Sequence, residues 1–245
     1  MVNFTMLAHN RPRLTKQALA SLENTQGANI TIYNNGLDDF HGMDDEELQN
    51  GEANTSYWVT VFCAGRPNAW TFCGYHPNLG TGESRNMVIK ASEETFGRGD
   101  YLYLSDNDVF FKPGWLETLI RCYEAAWEYG CRVIGGVGHP YHQPYEGLVQ
   151  VGDYGVHAVH AQPLQSMLMK WEVWDKYGPF CKTEPGRVCQ SEDVDFTNKI
   201  IADGGKIGVV SPALIVNTGI TNSFGEHIPG WELVKSQCPE GVLCE

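Results

Sequence analysis

No uninterrupted apolar run in the sequence approaches the roughly 18 to 20 residues that a membrane-crossing helix needs, so none is predicted. Nor does the opening segment predict a secretory leader. Met1–Ala8 reads as a short strand that gives way at once to polar residues, without a basic region or cleavage site. A soluble, cytoplasmic protein is the expectation. Positive charge is scarce: 17 Lys and Arg against 30 Asp and Glu leave a net charge of −13. That balance argues against a broad electrostatic grip on nucleic acid or anionic lipid, but leaves room for a local basic pocket. Internal repeats and low-complexity stretches are absent. None of the eight cysteines has the Cys-x-x-Cys spacing of a zinc site or redox dithiol. Three pairs lie close in sequence: Cys63 with Cys73, Cys181 with Cys189, and Cys238 with Cys244. Buried free thiols are the expectation for a reducing compartment, with local disulfides the alternative in an oxidising one.

Apolar residues make up 42% of the chain and charged residues 19%, enough to build a full core and too apolar for disorder. Val2–Ala8 predicts a strand, Leu14–Asn24 a helix, and Asn29–Tyr33 a second strand, followed by an acidic loop from Asp38 to Ser56. Tyr57–Cys63 (YWVTVFC) reads as a third strand, Pro77–Gly82 as a glycine-bearing loop and Glu83–Thr95 as a helix. Tyr101–Leu104 is a fourth strand, Trp115–Tyr129 an amphipathic helix, and Arg132–Val137 another strand. This alternation predicts an α/β protein with a mostly parallel sheet flanked by helices. Beyond it, Gly147–Gln162 reads as an extended hairpin, Met167–Tyr177 as a strand turning into a short helix, and Ser191–Ala202 as a helix. Lys206–Val210 is a last strand, and the tail from Ile220 reads as irregular.

The most informative segment is YLYLSDNDVFFKPGW, in which an apolar strand runs into Asp106-Asn107-Asp108. Residues two apart on an extended chain point the same way, so both carboxylates can face one point. That point lies at the carboxyl end of a parallel strand, where open α/β sheets bind ligands. Two carboxylates there repel unless a cation joins them, and a hard divalent ion, Mg2+ or Mn2+, suits oxygen ligands. A plain Asx turn is the competing reading. The apolar residues on both sides of the motif weigh against it.

The order of segments resembles that of the GT-A glycosyltransferases, especially those like family 2, over roughly residues 2 to 220. The resemblance rests on Ala8-His9-Asn10-Arg11-Pro12 after the first strand and Asn34-Asn35-Gly36 after the second. It continues through Asn78-Leu79-Gly80 to Arg85-Asn86, then Asp106-Asn107-Asp108, Gly178-Pro179-Phe180 and Glu192-Asp193-Val194-Asp195. It implies a single GT-A, Rossmann-like domain over residues 1–245, with a nucleotide-binding half (1–110) and a smaller mixed-strand, acceptor-binding half (111–245). It implies a nucleotide-sugar donor, with Ala8, Asn10, Arg11 and Asn35 lining the base and ribose pocket. Gly80 and Arg85 would approach the phosphates, Asp106 the ribose, sugar or metal, and Asp108 the Mn2+ or Mg2+ ion. Two departures stand out. The family offers an aspartate to the base where this chain has Asn34 and Asn35, which leaves a UDP-sugar favoured but not fixed. The family's late histidine, a metal ligand in some members, is replaced around Val216-Asn217-Thr218-Gly219, which makes His227 the candidate third ligand.

On this reading the metal neutralises the departing diphosphate and Asp193, beside Glu192, takes the proton of the acceptor hydroxyl with inversion. Ser191 as an N-cap and acids in a first helical turn give the plainer account of the same residues. The acceptor stays open among a saccharide, a lipid-linked sugar, a protein and a modified nucleobase. Trp171, Trp174 and Trp231 are candidates for stacking on it, or for packing. His139, His142, His157 and His160 match no zinc spacing. The alternatives are a retaining transferase on the same fold, a sugar nucleotidyltransferase, and a non-catalytic sugar-binding module.

Overall fold

The computed structural model describes residues 1–9, 11–34, 54–73, 80–137, 143–181, 192–220, 231–236 and 238–244. Seven-residue strand β1 (Val2–Ala8) is buried along its whole length, as suits a strand covered on both faces. It lies between β2 (Ala28–Asn34) and β4 (Tyr101–Asp106), parallel to both, and β3 (Ala69–Cys73) extends the sheet beside β2. Past β4 come β9 (Ser166–Lys170), β6 (Cys131–Gly135), β10 (Lys206–Ser211), β8 (Tyr154–Val159) and β7 (Glu146–Val151). The nine strands run in the order β3-β2-β1-β4-β9-β6-β10-β8-β7. Only β9 and β8 oppose the common direction. The mixed-strand region therefore continues the main sheet. A separate two-stranded ribbon pairs β5 (Val109–Phe111) with β11 (Ile215–Asn217).

Period-two alternation divides the core between the two faces. On β4, Tyr103 joins a cluster with Phe4, Met6, Phe111 and Trp115, while Leu102 and Leu104 join Met167, Met169 and Phe196 on the other side. Helices α1 (Pro12–Ser21), α2 (Thr55–Cys63) and α4 (Trp115–Trp127) cover the first face through Leu19, Val59 and Leu119. Helices α3 (Thr81–Phe96), α5 (Trp171–Tyr177) and α6 (Glu192–Ala202) cover the second through Ile89, Trp171 and Ile200. The Phe4 ring stacks on Tyr103 at 5.2 Å and meets Phe111 edge-on at 5.8 Å. These aromatic pairs add to area burial worth roughly 25 cal/mol per Å2.

Three expectations need correction. The predicted strand Tyr57–Cys63 is helix α2: Asn54 caps it by accepting a hydrogen bond from the Tyr57 amide at 2.6 Å, and Thr55, Val59 and Phe62 are buried at helical spacing. The β-favouring composition lost to the cap and the packing. The third strand of the sheet is instead β3, which begins at Ala69 beyond the end of that helix. The tail is not wholly irregular, since α7 spans Trp231–Ser236. Cys238 and Cys244 form a disulfide instead of remaining free thiols. Among the described residues Cys122 and Cys131 are buried free thiols, as expected, while Cys63 and Cys181 are free but half-buried. Among the described residues no helix is long and apolar enough to cross a membrane.

Candidate functional site

Sheet register brings the site together at the carboxyl rim of the strands. Ala8 at the end of β1 pairs with Asn34 at the end of β2, and Leu7 pairs with Asp106 at the end of β4. Beyond Asp106 the acidic motif splits. Asn107 is 5% exposed and turns towards α1, where its Nδ2 donates to Thr15 Oγ1 at 2.6 Å. Each flanking carboxylate faces a different arginine.

Arg85, in the second turn of α3, is fully buried. Its Nη2 donates to Asp106 Oδ1 and its Nη1 to the Ser105 carbonyl. Burial lowers the Arg85 pKa, against the pull of Asp106, Asp108 and, more weakly, Glu192. One guanidinium therefore sits in the field of carboxylates from both acidic motifs. A fork of donors that serves two acceptors at once and a charge that persists on burial suit arginine to this place.

Asp108 pairs with the other arginine, its Oδ2 accepting from Arg11 Nη1. Arg11 precedes Pro12 at the start of α1 with φ 61° and ψ 58°, a left-handed conformation that costs a residue with a Cβ about 1 to 3 kcal/mol. The ribbon β5–β11 closes the other side: the amides of Thr218 and Gly219 donate to the Asp108 carbonyl at 2.8 and 3.2 Å. A Cβ on Gly219 would collide with both Asp108 Oδ2 and Arg11 Nη1. Burial pushes the Asp108 carboxyl up to about 6, against the pull of Arg11 and with a further rise from Asp106. Its second oxygen, Oδ1, is buried with no hydrogen-bond partner.

The Glu-Asp-x-Asp pattern at the start of α6 separates into three roles. Glu192 is 1% exposed and accepts the Gly82 amide at 3.2 Å. It thereby supplies an oxygen to the first turn of α3, whose amides lack helical partners. Gly82 is needed there, because a Cβ would strike the Cys181 carbonyl and the Glu192 side chain. Asp193 is half-buried, with Oδ1 accepting the Val194 amide at 2.8 Å. Asp195 forms a surface pair with Lys199 at 2.8 Å. Asn86 completes the link between α3 and this region, exchanging two 3.0 Å hydrogen bonds with the backbone of Phe180.

Of the sequence candidates, the structure places Ala8, Asp106, Arg85 and Gly80 at the rim or at the start of α3, Arg11 on Asp108, and Glu192 against Gly82. Asn10, Asn35 and His227 lie outside the described residues. Asn217, in the segment where the sequence resemblance implied a histidine, accepts the Gly219 amide at 2.9 Å. Trp171 is buried and Trp174 packs on Phe180 and Phe196, so both serve the core. His160 stacks on Tyr145 at 4.6 Å. The sequence reading missed Gly82, Thr218 and Gly219, whose contribution is backbone and space. Two surface cavities, about 580 Å3 beside Lys176 and Lys199 and about 430 Å3 between Gln17, Phe111 and Val242, include none of the candidate residues.

Hard divalent cations favour oxygen ligands, and Asp106 lies close enough to Asp108 to raise the proton affinity of the Asp108 carboxylate. The unpartnered buried oxygen of Asp108 fits such an ion, since a buried polar atom without a partner is costly. Among the described residues no cluster of three or more His, Cys, Asp or Glu side chains accompanies them. The remaining ligands would then come from phosphate and water, or from residues outside the described set.

No protein-family description matches the chain, and no curated protein matches it. Solved structures do. The crystal structure of GalNAc-T7 with UDP, GalNAc and Mn2+ superposes with a TM-score of 0.58 at 11% identity, covering 87% of this chain and 42% of that one. The S. aureus TarS structure superposes with a TM-score of 0.54 at 15% identity, covering 87% of this chain and 36% of that one. The chain thus spans less than half the length of either. Both are GT-A glycosyltransferases, and the three-layer architecture with its parallel strands is the GT-A, Rossmann-like fold.

Proposed function

We propose that the chain is a glycosyltransferase that takes its sugar from a nucleoside diphosphate donor, with a UDP-sugar favoured, and passes it to an acceptor hydroxyl. The observation that carries this reading is the buried charge network at the sheet rim. Arg85 holds Asp106, with Asp108 and Glu192 close enough to act on its guanidinium, and Arg11 pairs with Asp108, where an open α/β sheet binds ligands. GalNAc-T7, which shares the fold, was solved with UDP, GalNAc and Mn2+, and this supports a donor of that class.

Arg85 is engaged by Asp106 and the Ser105 carbonyl, so its part is to fix Asp106. Arg11, less buried, is the cation that can turn to phosphate oxygens through charge-assisted hydrogen bonds. Asp106 and Asp108, with His227 as proposed third ligand, would hold Mn2+ or Mg2+. Such an ion supplies Lewis-acid neutralisation of the leaving diphosphate when bound. Asp193 accepts the acceptor proton, worth roughly 10² to 10⁴ in rate, and attack from that side inverts the anomeric centre. Glu192 acts through position, holding α3 and its Arg85 in place.

A thermal-shift screen of UDP-, GDP-, TDP- and ADP-sugars with and without Mn2+ tests the reading, because stabilisation grows as RT ln(1 + [L]/Kd). One metal-dependent donor should stand out, and Asp108→Ala should erase its shift. A flat screen would discard the proposal. Hydrolysis of the donor by the purified protein separates an enzyme from a sugar-binding module.

A further inference from the structure

Asp108 presents its two oxygens to different surroundings: Oδ2 is paired with Arg11, and Oδ1 is buried and unpartnered. The residue is 9% exposed, and the Thr218 and Gly219 amides fix its backbone. Gly219 leaves no space between itself and the Arg11–Asp108 pair. The guanidinium is held there from a backbone with φ 61°, where a glycine would sit without strain. A cation approaching Asp108 therefore meets a carboxylate already neutralised by a tethered positive charge.

We infer that Arg11 is a built-in counter-cation of Asp108, which a divalent ion must displace to gain both carboxylate oxygens. Displacement releases the guanidinium from Asp108, and the diphosphate that arrives with the ion offers it oxygens in exchange. The inference rests on the donor reading above and adds an ordering device to it. If Arg11 occupies Asp108 most of the time, the apparent Kd for the ion is the intrinsic Kd divided by the fraction of chains with Arg11 swung away.

The test is titration of the full chain with Mn2+ alone, free Mn2+ being read by electron paramagnetic resonance, with no activity needed. Arg11→Gly suits the left-handed backbone and should fold, and Arg11→Gln repeats the loss of charge with a side chain present. Both should bind Mn2+ about tenfold more tightly than the unaltered chain, the factor set by an Arg11-bound fraction near nine-tenths. Exposed Arg13, two residues on, controls for net charge: Arg13→Gln should leave the Kd near its starting value. Asp108→Asn should abolish the tight binding. Equal affinities for Arg11→Gly and the unaltered chain would overturn the inference, as would a tight site that survives Asp108→Asn. Tighter Mn2+ binding in Arg11→Gly alongside a flat nucleotide-sugar screen would keep the counter-cation and remove the donor reading.

Discussion

Arg85 and Asp106 form an ion pair in which the arginine is fully buried and the carboxylate is about one-third exposed, 31% by side chain. The pair ties helix α3 to the end of β4, and Glu192 approaches the same helix from α6. A burial this deep is tolerated because carboxylates surround the guanidinium and the Ser105 carbonyl takes a further N–H.

Replacing Arg85 by Met should destabilise the protein by roughly 3 kcal/mol or more, because it leaves Asp106 and its neighbours uncompensated. Urea unfolding measures this, and a loss below about 0.5 kcal/mol would mean that the pair behaves as a surface contact.

Gly219→Ala should weaken Mn2+ binding without unfolding the chain. The new methyl group would take the place of Asp108 Oδ2, so the carboxylate itself must turn out of the position in which it could hold an ion, an effect distinct from losing the Arg11 charge. Resonance of free Mn2+ reads the binding and circular dichroism the fold. Unchanged binding would place the ion elsewhere.

Asp193 and Glu192 should part company on mutation. Asp193→Asn is expected to cut transfer at least about 10²-fold while donor-induced thermal stabilisation persists. Glu192→Ala removes the acceptor of the Gly82 amide and should lower stability by about 2 kcal/mol, read in a denaturant melt. Full transfer by Asp193→Asn would strip it of the base role.

The buried thiols should resist alkylation. Burial pushes Cys131 up to about 12, and it also raises Cys122; a raised thiol pKa leaves less thiolate at any given pH. With iodoacetamide at pH 8, peptide mass spectrometry should find both unmodified in the native protein and modified in urea. Native-state labelling of Cys131 would contradict its packing.

The strand periods and the acidic pair at the end of β4 were legible in sequence because both are local. A buried parallel strand needs a continuous apolar run, and its rim needs the polar residues that follow it. The residues in YLYLSDND therefore announce both the strand and the carboxylates. The hairpin β7–β8 and the strand-to-helix turn at β9–α5 were equally local. YWVTVFC was not, since its composition fits a buried strand or a buried helix alike, and the Asn54 cap settled the choice.

The sequence by itself determined the alternation of strands and helices, the placement of Asp106 and Asp108 at a strand end, and the poverty of basic residues that makes Arg11 and Arg85 conspicuous. Only the tertiary structure decided which arginine each aspartate meets, that Glu192 turns inward to Gly82, and that the Gly219 backbone closes over Asp108. The reason is separation along the chain. Asp108 lies 97 residues from Arg11, and Glu192 110 residues from Gly82. Local periodicity carries no information over such distances, whereas sheet register brings those residues to one rim.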